Sequence, residues 1–360
     1  MILSSFDIAA YKMRPKNNPF PLFENIKTII AETQHYIVRN VNAAMILAYF
    51  QIGKMIVEDE QHGSQRAGYA KETIARLSKE LNREFGRGYS ISNMEYIRSF
   101  YIIYRHRIPQ SVIGEFDQLL ISQTVIGELT IPFHLSWTHY IQLLKIKNED
   151  ERNFYEIEAA ANNWSVRELQ RQYNSALFER LALSKDKNGI KQLAAKGQII
   201  EKPTDALKSH YVLEFLGLKE ESKYSENDFE TAIIDKLEHF MLELGKGFLF
   251  EGRQRRFTFE GDSFFVDLVF YNRLLKCFVL FDLKIGKLTH QDIGQMQMYV
   301  NYYDRKIKTK DENPTIGIIL CKEENRTVIE FTLPQDNNQI FAKEYKAVLP
   351  SKEALKKQLE

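Results

Sequence analysis

The stretch Phe264–Gly286, FFVDLVFYNRLLKCFVLFDLKIG, carries the two runs on which the fold turns. Ser263–Tyr271 and Lys276–Lys284 are short, almost continuously apolar, and rich in Phe, Val and Leu, the texture of strands buried on both faces. Each run holds one carboxylate, Asp267 in the first and Asp282 in the second. A buried charge without a partner costs several kcal/mol, on the order of what a whole domain has to spare. Two of them, fifteen residues apart on successive strands, can face each other across the sheet. Strand alternation places Asp282 and Lys284 on one face and turns Leu283 away. Two carboxylates and an ammonium then converge at the end of a hairpin. Such a pair suits Mg²⁺ (or Mn²⁺), a hard cation that prefers oxygen ligands. Lys284 would orient or deprotonate a water activated there for attack on a phosphodiester. An ion-paired trio without chemistry gives the same pattern, and spacing alone leaves both readings open.

Outward from this hairpin the pattern reads as an α/β domain. Asp228–Leu244 has helical periodicity, with Phe229, Ile233, Leu237, Phe240 and Leu244 on one side, and Gly245 and Gly247 end it. Phe248–Glu251 leading into Arg255–Glu260 reads as extended. A helix over Gln291–Tyr303 and strands at Thr315–Cys321 and Thr327–Leu333 complete a domain around a mixed sheet. Arg253, Arg255 and Arg256 precede the hairpin. Alternation puts Arg253 and Arg255 on one face, either holding phosphates or protecting an edge strand.

The N-terminal half has a different period. Apolar residues recur at three and four from Ile26 to Glu60, including Ile26, Ile29, Ile37, Val41, Met45, Ile52 and Ile56. A second helix is expected over Tyr69–Phe85, broken by Gly86-Arg87-Gly88-Tyr89. Ser92 with Glu95, and Ser165 with Glu168, read as capping boxes opening helices that reach about Arg105 and Leu181. A further helix is expected at Ser136–Lys147. The unit Lys71–Ser99 fits a helix-turn-helix, with Arg87, Asn93, Arg98 and Arg105 as candidate nucleic-acid contacts; any helical bundle contains such a unit. The Lys-rich segment 184–209, with Gly189, Gly197 and Pro203, reads as a linker, with a short helix near Lys191–Lys196. The expected organisation is therefore α+β in two domains: all-helical over 20–183, linker over 184–209, α/β over 210–350.

Composition narrows the class without naming it. With 360 residues, 44% hydrophobic and 27% charged, the chain has the makeup of a globular protein of two domains. Net charge is +1, so no global attraction to a polyanion operates, but 246–310 hold twelve Lys/Arg against seven Asp/Glu. The two cysteines, Cys277 and Cys321, read as buried free thiols, and no closely spaced Cys/His set suggests zinc. The N-terminal residues lack a signal-peptide pattern, and no run is read as approaching a membrane span, so a cytoplasmic location is expected.

The segments YVLEFLGL, LGKGFLFEGRQRRF, Phe264–Gly286, GQMQMYVNYYD and PTIGIILC closely resemble the YhcG-like (DUF1016) family of the PD-(D/E)XK nuclease superfamily. SISNMEYIRSFY, LSWTHYIQLLKI, ERNFYEIEAA and NNWSVRELQRQ resemble that family's helical domain, so the likeness runs from about Gln34 to Leu333. It implies a restriction-endonuclease-like domain and a Mg²⁺-dependent DNA endonuclease. Asp267 and Asp282 would be metal ligands and Lys284 the catalytic lysine. Glu230 matches an acidic residue that completes the metal site in many members, and Gln295 a glutamine near the active site. Tyr299 is read rather as a core aromatic. Val266 departs from the superfamily's Pro. The resemblance also implies a bacterial restriction or defence setting with partner proteins, and two-strand cutting would suit a homo-oligomer. The rivals are an inactive nucleic-acid-binding or assembly subunit, and a nuclease acting on RNA or branched DNA.

Overall fold

The computed structural model describes residues 21–62, 69–107, 133–218, 224–259, 261–349 and 351–359. They form two compact units that divide between Leu144 and Lys145.

The first unit is helical: α1 (Pro21–His62), α2 (Tyr69–Phe85), α3 (Ile91–Tyr104) and α4 (Trp137–Leu143). Tyr49, Ile56, Ile74, Met94 and Ile97 form its core, with Leu77 and Leu81 packed alongside. The expected apolar positions Ile26, Ile29 and Ile37 lie outside the described side chains. One stretch of α1, Val41–Gln61, is by length and composition apolar enough to cross a membrane, contrary to the sequence expectation. Its residues Ile46, Leu47, Phe50 and Ile56 are buried in this unit, Phe50 against the rings of Phe100 and Tyr101.

α1 and α3 come close together at Gly53. A Cβ there would lie 2.5 Å from the Ile97 carbonyl oxygen and 2.8 Å from Tyr101 Cβ. Gly53→Ala gains about 1 kcal/mol in helix propensity but must part the two backbones, at about 1–3 kcal/mol. A net fall in the unfolding midpoint by urea titration is expected. An unchanged or higher midpoint would show that the crossing does not depend on this glycine.

The cap of α3 is Ser90, whose hydroxyl accepts from Asn93 N, and not Ser92. Gly88, at φ +143°, ends the turn early enough to bring Ser90 into the capping position. The Ser165–Glu168 capping box forms as expected.

The second unit opens with α5 (Glu149–Ala161), α6 (Val166–Asn174), α7 (Leu177–Ala182), α8 (Lys187–Lys196) and α9 (Pro203–Ala206). The helix expected to reach Leu181 in one piece is broken by Ala176, which takes a left-handed conformation (φ 53°). The segment read as a linker is instead packed into this unit, with Leu193, Ala194, Ala206 and Lys208 buried. Its lysines misled: Lys208 makes an ion pair with a buried carboxylate, Glu243, that composition does not reveal.

Next come β1 (His210–Val212), α10 (Glu226–Asp235), α11 (Leu237–Leu244), β2 (Phe248–Phe259), β3 (Asp262–Asn272), β4 (Cys277–Leu283), α12 (His290–Tyr302), β5 (Ile316–Cys321), α13 (Arg326–Thr332), β6 (Ile340–Lys346) and α14 (Lys352–Lys357). The single helix expected at Asp228–Leu244 is two, separated by Lys236. Thr327–Leu333 is helical rather than extended, because Asn325 caps it through Val328 N. The strand that follows β5 is β6. The six strands lie in the order β1-β6-β5-β4-β3-β2. β1, β6, β5 and β4 are parallel, whereas β4–β3 and β3–β2 are antiparallel, so the sheet is mixed as expected.

Each sheet face carries its own core. On one, Phe229, Ile233, Phe240 and Leu244 of α10 and α11 meet Leu268, Phe270, Val279, Phe281 and Leu283. On the other, Ile293, Met296, Tyr299 and Val300 of α12 meet Val269, Leu280 and Ile319. α12 lies directly on β5 at Gly317, where a Cβ would sit 2.5 Å from Met296 Sδ. Cys277 and Cys321 are free and buried, as read.

Candidate active site

β3 and β4 pair from Asn272–Cys277, at the turn, to Leu268–Phe281. One step beyond the last rung, at the open end of the hairpin, stand Asp267 and Asp282. The backbone N–H of Leu283 donates to Asp267 Oδ2 at 2.8 Å. Leu283 itself turns into the core beneath α10 and α11, so Asp282 and Lys284 share the opposite face. The Lys284 ammonium lies 3.0 Å from Asp282 Oδ2 and 3.8 Å from Glu226 Oε2. Asp267, Asp282 and Lys284 therefore meet.

Asp282 is 2% exposed, and its Oδ2, although close to the Lys284 ammonium, receives no well-aligned hydrogen bond. Burial pushes its pKa up, Lys284 opposes this, and Asp267 and Asp292 add to the rise. Burial likewise raises Asp267, against the pull of the Leu283 N–H, Lys284 and Gln254. For Lys284 burial acts downward, but Asp282, Glu226 and Asp267 outweigh it and the net direction is up. The trio is a carboxylate pair with more negative charge than one ammonium neutralises.

Glu230 reaches this cluster from α10. Its Oε2 accepts from Gln254 Nε2 at 2.5 Å, and the same nitrogen lies 3.2 Å from Asp267 Oδ1. Burial and Asp267 raise the Glu230 pKa, while Gln254 and Arg253 oppose the rise. Gln295, on α12, donates to the Tyr299 hydroxyl at 2.5 Å. Tyr299 is a core aromatic, as read, but its hydroxyl also senses the site: burial, then Asp282, push it up to about 12.

The basic residues separate. Arg253 acts on Glu230, whereas Arg255 pairs with Glu251 and acts on Tyr303, on the α12 side. The expected shared face fails because Gln254 between them is left-handed (φ 47°), which breaks the alternation. Arg256 donates to Ser263 Oγ at 2.8 and 3.1 Å. In the helical unit, Arg98 donates to both oxygens of Glu60 at 2.8 Å, which accounts for it without a nucleic acid. Both ends of the Asn93 amide are used, by Gly88 O and Trp137 Nε1. Arg87 and Arg105 are exposed.

The sequence does not point to Gln254 or Glu226. A lone Gln among arginines, and a first-turn Glu on a helix, carry no periodic signal. Only the fold brings them to Asp267 and Lys284.

Residues 204–360 match the family model of the YhcG PDDEXK nuclease domain, and residues 25–180 the DUF1016 N-terminal domain. A protein of Escherichia coli (strain K12) named "Putative nuclease YhcG" is 42% identical over 333 residues, covering 89% of this chain and 88% of that protein. The chain belongs to the YhcG family. Its C-terminal unit thus carries a PD-(D/E)XK nuclease domain behind a helical DUF1016 region. The boundary between the two YhcG-family models, 180 to 204, falls inside the second compact unit. A crystal structure of a repair endonuclease from Pyrococcus abyssi aligns with 37% of this chain and 50% of that one, at 16% identity and a TM-score of 0.24.

Proposed function

We propose that this chain is an endonuclease that hydrolyses DNA phosphodiester bonds with Mg²⁺ or Mn²⁺ at Asp267 and Asp282. The observation that carries the reading is Asp282: a carboxylate buried beside a second one, with an oxygen that receives no good hydrogen bond. Lys284 pairs with Asp282 at 3.0 Å, and a second carboxylate buried beside that pair is an excess of negative charge that a cation would relieve. Among the described residues no three acidic, histidine or cysteine side chains crowd closely enough to enclose an ion. Two carboxylates suit Mg²⁺, which keeps several of its waters and also binds substrate phosphate. Asp267 and Asp282 would hold the ion, and Glu230, tied to Asp267 through the Gln254 amide, would join them as a third ligand only when the ion draws the acids together. When bound, the metal polarises the scissile phosphate and acidifies a water.

The chain's own residues do the rest. The Leu283 N–H fixes Asp267. Lys284, on the same face as Asp282, positions the attacking water and steadies charge on the phosphate. Arg253 and the exposed Arg87 and Arg105 supply phosphate contacts without reading sequence.

The test is cutting of supercoiled and linear DNA with Mg²⁺ or Mn²⁺. Lys284→Ala is expected to lower the rate about 100- to 1000-fold, the usual loss of a charge-stabilising group, while leaving DNA affinity within about twofold. Tight binding without metal-dependent cutting in the unaltered protein would instead support an inactive binding subunit. Cutting confined to RNA or branched DNA would move the substrate and keep the chemistry.

A further inference from the structure

We infer that Gln254 is a positioning residue, which sets Glu230 and Asp267 as a pair for a divalent cation; the inference rests on the metal-site reading above. Gln254 stands in β2 between Arg253, paired with Leu268, and Arg255, paired with Val266, and so across from Asp267. It lies just past the register shift between Phe250 and Gly252. Its φ of 47° is left-handed, rare for an unbranched residue other than Gly, Asn or Asp and rarer inside a strand. Strained backbone of this kind persists where the surroundings over-determine it, and it clusters at functional sites.

Here the strain has a visible product. An extended residue would keep Arg253 and Arg255 on one face, whereas the left-handed turn sends them apart and brings the Gln254 side chain to the carboxylates. Its amide nitrogen lies 2.5 Å from Glu230 Oε2 and 3.2 Å from Asp267 Oδ1. Two carboxylate acceptors can be satisfied only by the NH₂ end, so the amide orientation is fixed by chemistry. Asp267 is thereby held from both sides, by a β2 side chain on Oδ1 and the β4 backbone on Oδ2. Each oxygen accepts one hydrogen bond and retains a second lone pair. An amide is also neutral. A lysine or arginine in its place would hold the same oxygens but cancel the charge a cation needs, whereas Gln254 orients both acids and adds no charge of its own.

The test separates positioning from scaffolding by comparing Gln254→Ala with Gln254→Gly. Both lack the amide, but glycine takes a positive φ without strain. Gly is expected to unfold at a higher temperature than Ala, while both bind Mn²⁺ about tenfold more weakly than the unaltered protein, the loss typical of removing a group that orients a metal ligand. Mn²⁺ alone is titrated, read by the electron paramagnetic resonance signal of the free ion. If affinity is unchanged in both variants, or returns in the glycine variant with its relaxed backbone, the inference is overturned. Asp282→Asn serves as the control. If Asp282→Asn binds Mn²⁺ as well as the unaltered protein, the metal-site reading itself fails and Gln254 falls with it.

Discussion

Asp282→Asn is expected to abolish metal-dependent cutting and, in the same protein, to raise the melting temperature of the metal-free state above neutral pH. The two effects have opposite signs because they have one cause. Asp282 is 2% exposed, and burial raises its pKa despite the neighbouring ammonium. A carboxyl group whose native pKa lies above its unfolded value binds its proton more tightly when folded. The stability it contributes is fully present below the unfolded value, about pH 4, and is lost as pH rises through the raised native value. At pH 8 the folded chain therefore holds an unfavourable charge, and asparagine removes it. A gain on the order of 1 kcal/mol corresponds to about 2–4 °C for a unit of this size. A divalent ion should bring the same relief to the unaltered protein, so Mg²⁺ should raise its melting temperature and leave that of the variant unmoved. The rate loss should be about a thousandfold or more, since the several kcal/mol attributed to a metal in the transition state convert at about 1.4 kcal/mol per decade. Scanning calorimetry at pH 5 and 8, with EDTA or Mg²⁺, checks the stability half. A variant less stable than its parent at pH 8 in EDTA would make Asp282 a structural ion-pair partner.

That trade between stability and chemistry also explains what the sequence made legible. Asp267, Asp282 and Lys284 were visible because each interrupts an apolar strand, and the alternation around Leu283 held as the period of two requires. A separation of fifteen positions sets the acids opposite one another because the antiparallel ladder closes symmetrically about its turn. Gln254 was invisible for the converse reason. Its position depends on one backbone angle, and no pattern of side chains encodes a left-handed residue within a strand. The arginines on either side were misread through that same angle. Thr327–Leu333 reads as a strand, but the Asn325 cap prevails, and β6 lies further on, where Lys343, Glu344 and Lys346 dilute the apolar signal. The segment 184–209 failed at tertiary range: its lysines look solvated until Lys208 is found 1% exposed against Glu243.

Glu243→Ala is expected to cost about 3–5 kcal/mol, the usual penalty for removing one partner of a buried ion pair. Glu243 and Arg180 are both fully buried and form a direct ion pair. Arg171 and Lys208 each approach the same carboxylate at 3.6 Å, and the Val212 N–H donates to it at 3.0 Å. Burial alone would raise the Glu243 pKa, but Arg180, Lys208 and Arg171 outweigh it and hold it at about 2. A carboxylate depressed in this way contributes stability above its unfolded value, about 4.3, and loses it as pH falls toward 2. Lys208 adds a second window. Burial is the main cause that lowers it to about 7, so the folded state favours the neutral amine and stability should decline as pH falls from about 10 through 7. Removing Glu243 leaves the buried Arg180 guanidinium without its carboxylate in a core that joins α6 and α7 to α11 and β1, while Arg171 keeps Glu214. Glu243→Gln keeps the shape and an acceptor, and should cost less than alanine. The pairing of Glu243→Ala with Arg180→Met should recover part of the loss, because the unpaired guanidinium goes with it. Urea unfolding followed by circular dichroism reads all three. If Glu243→Ala unfolds at the parent's midpoint, the cluster does not hold the helices to the sheet. If it unfolds early, its nuclease activity should disappear with the fold, whereas Asp282→Asn should lose activity while fully folded.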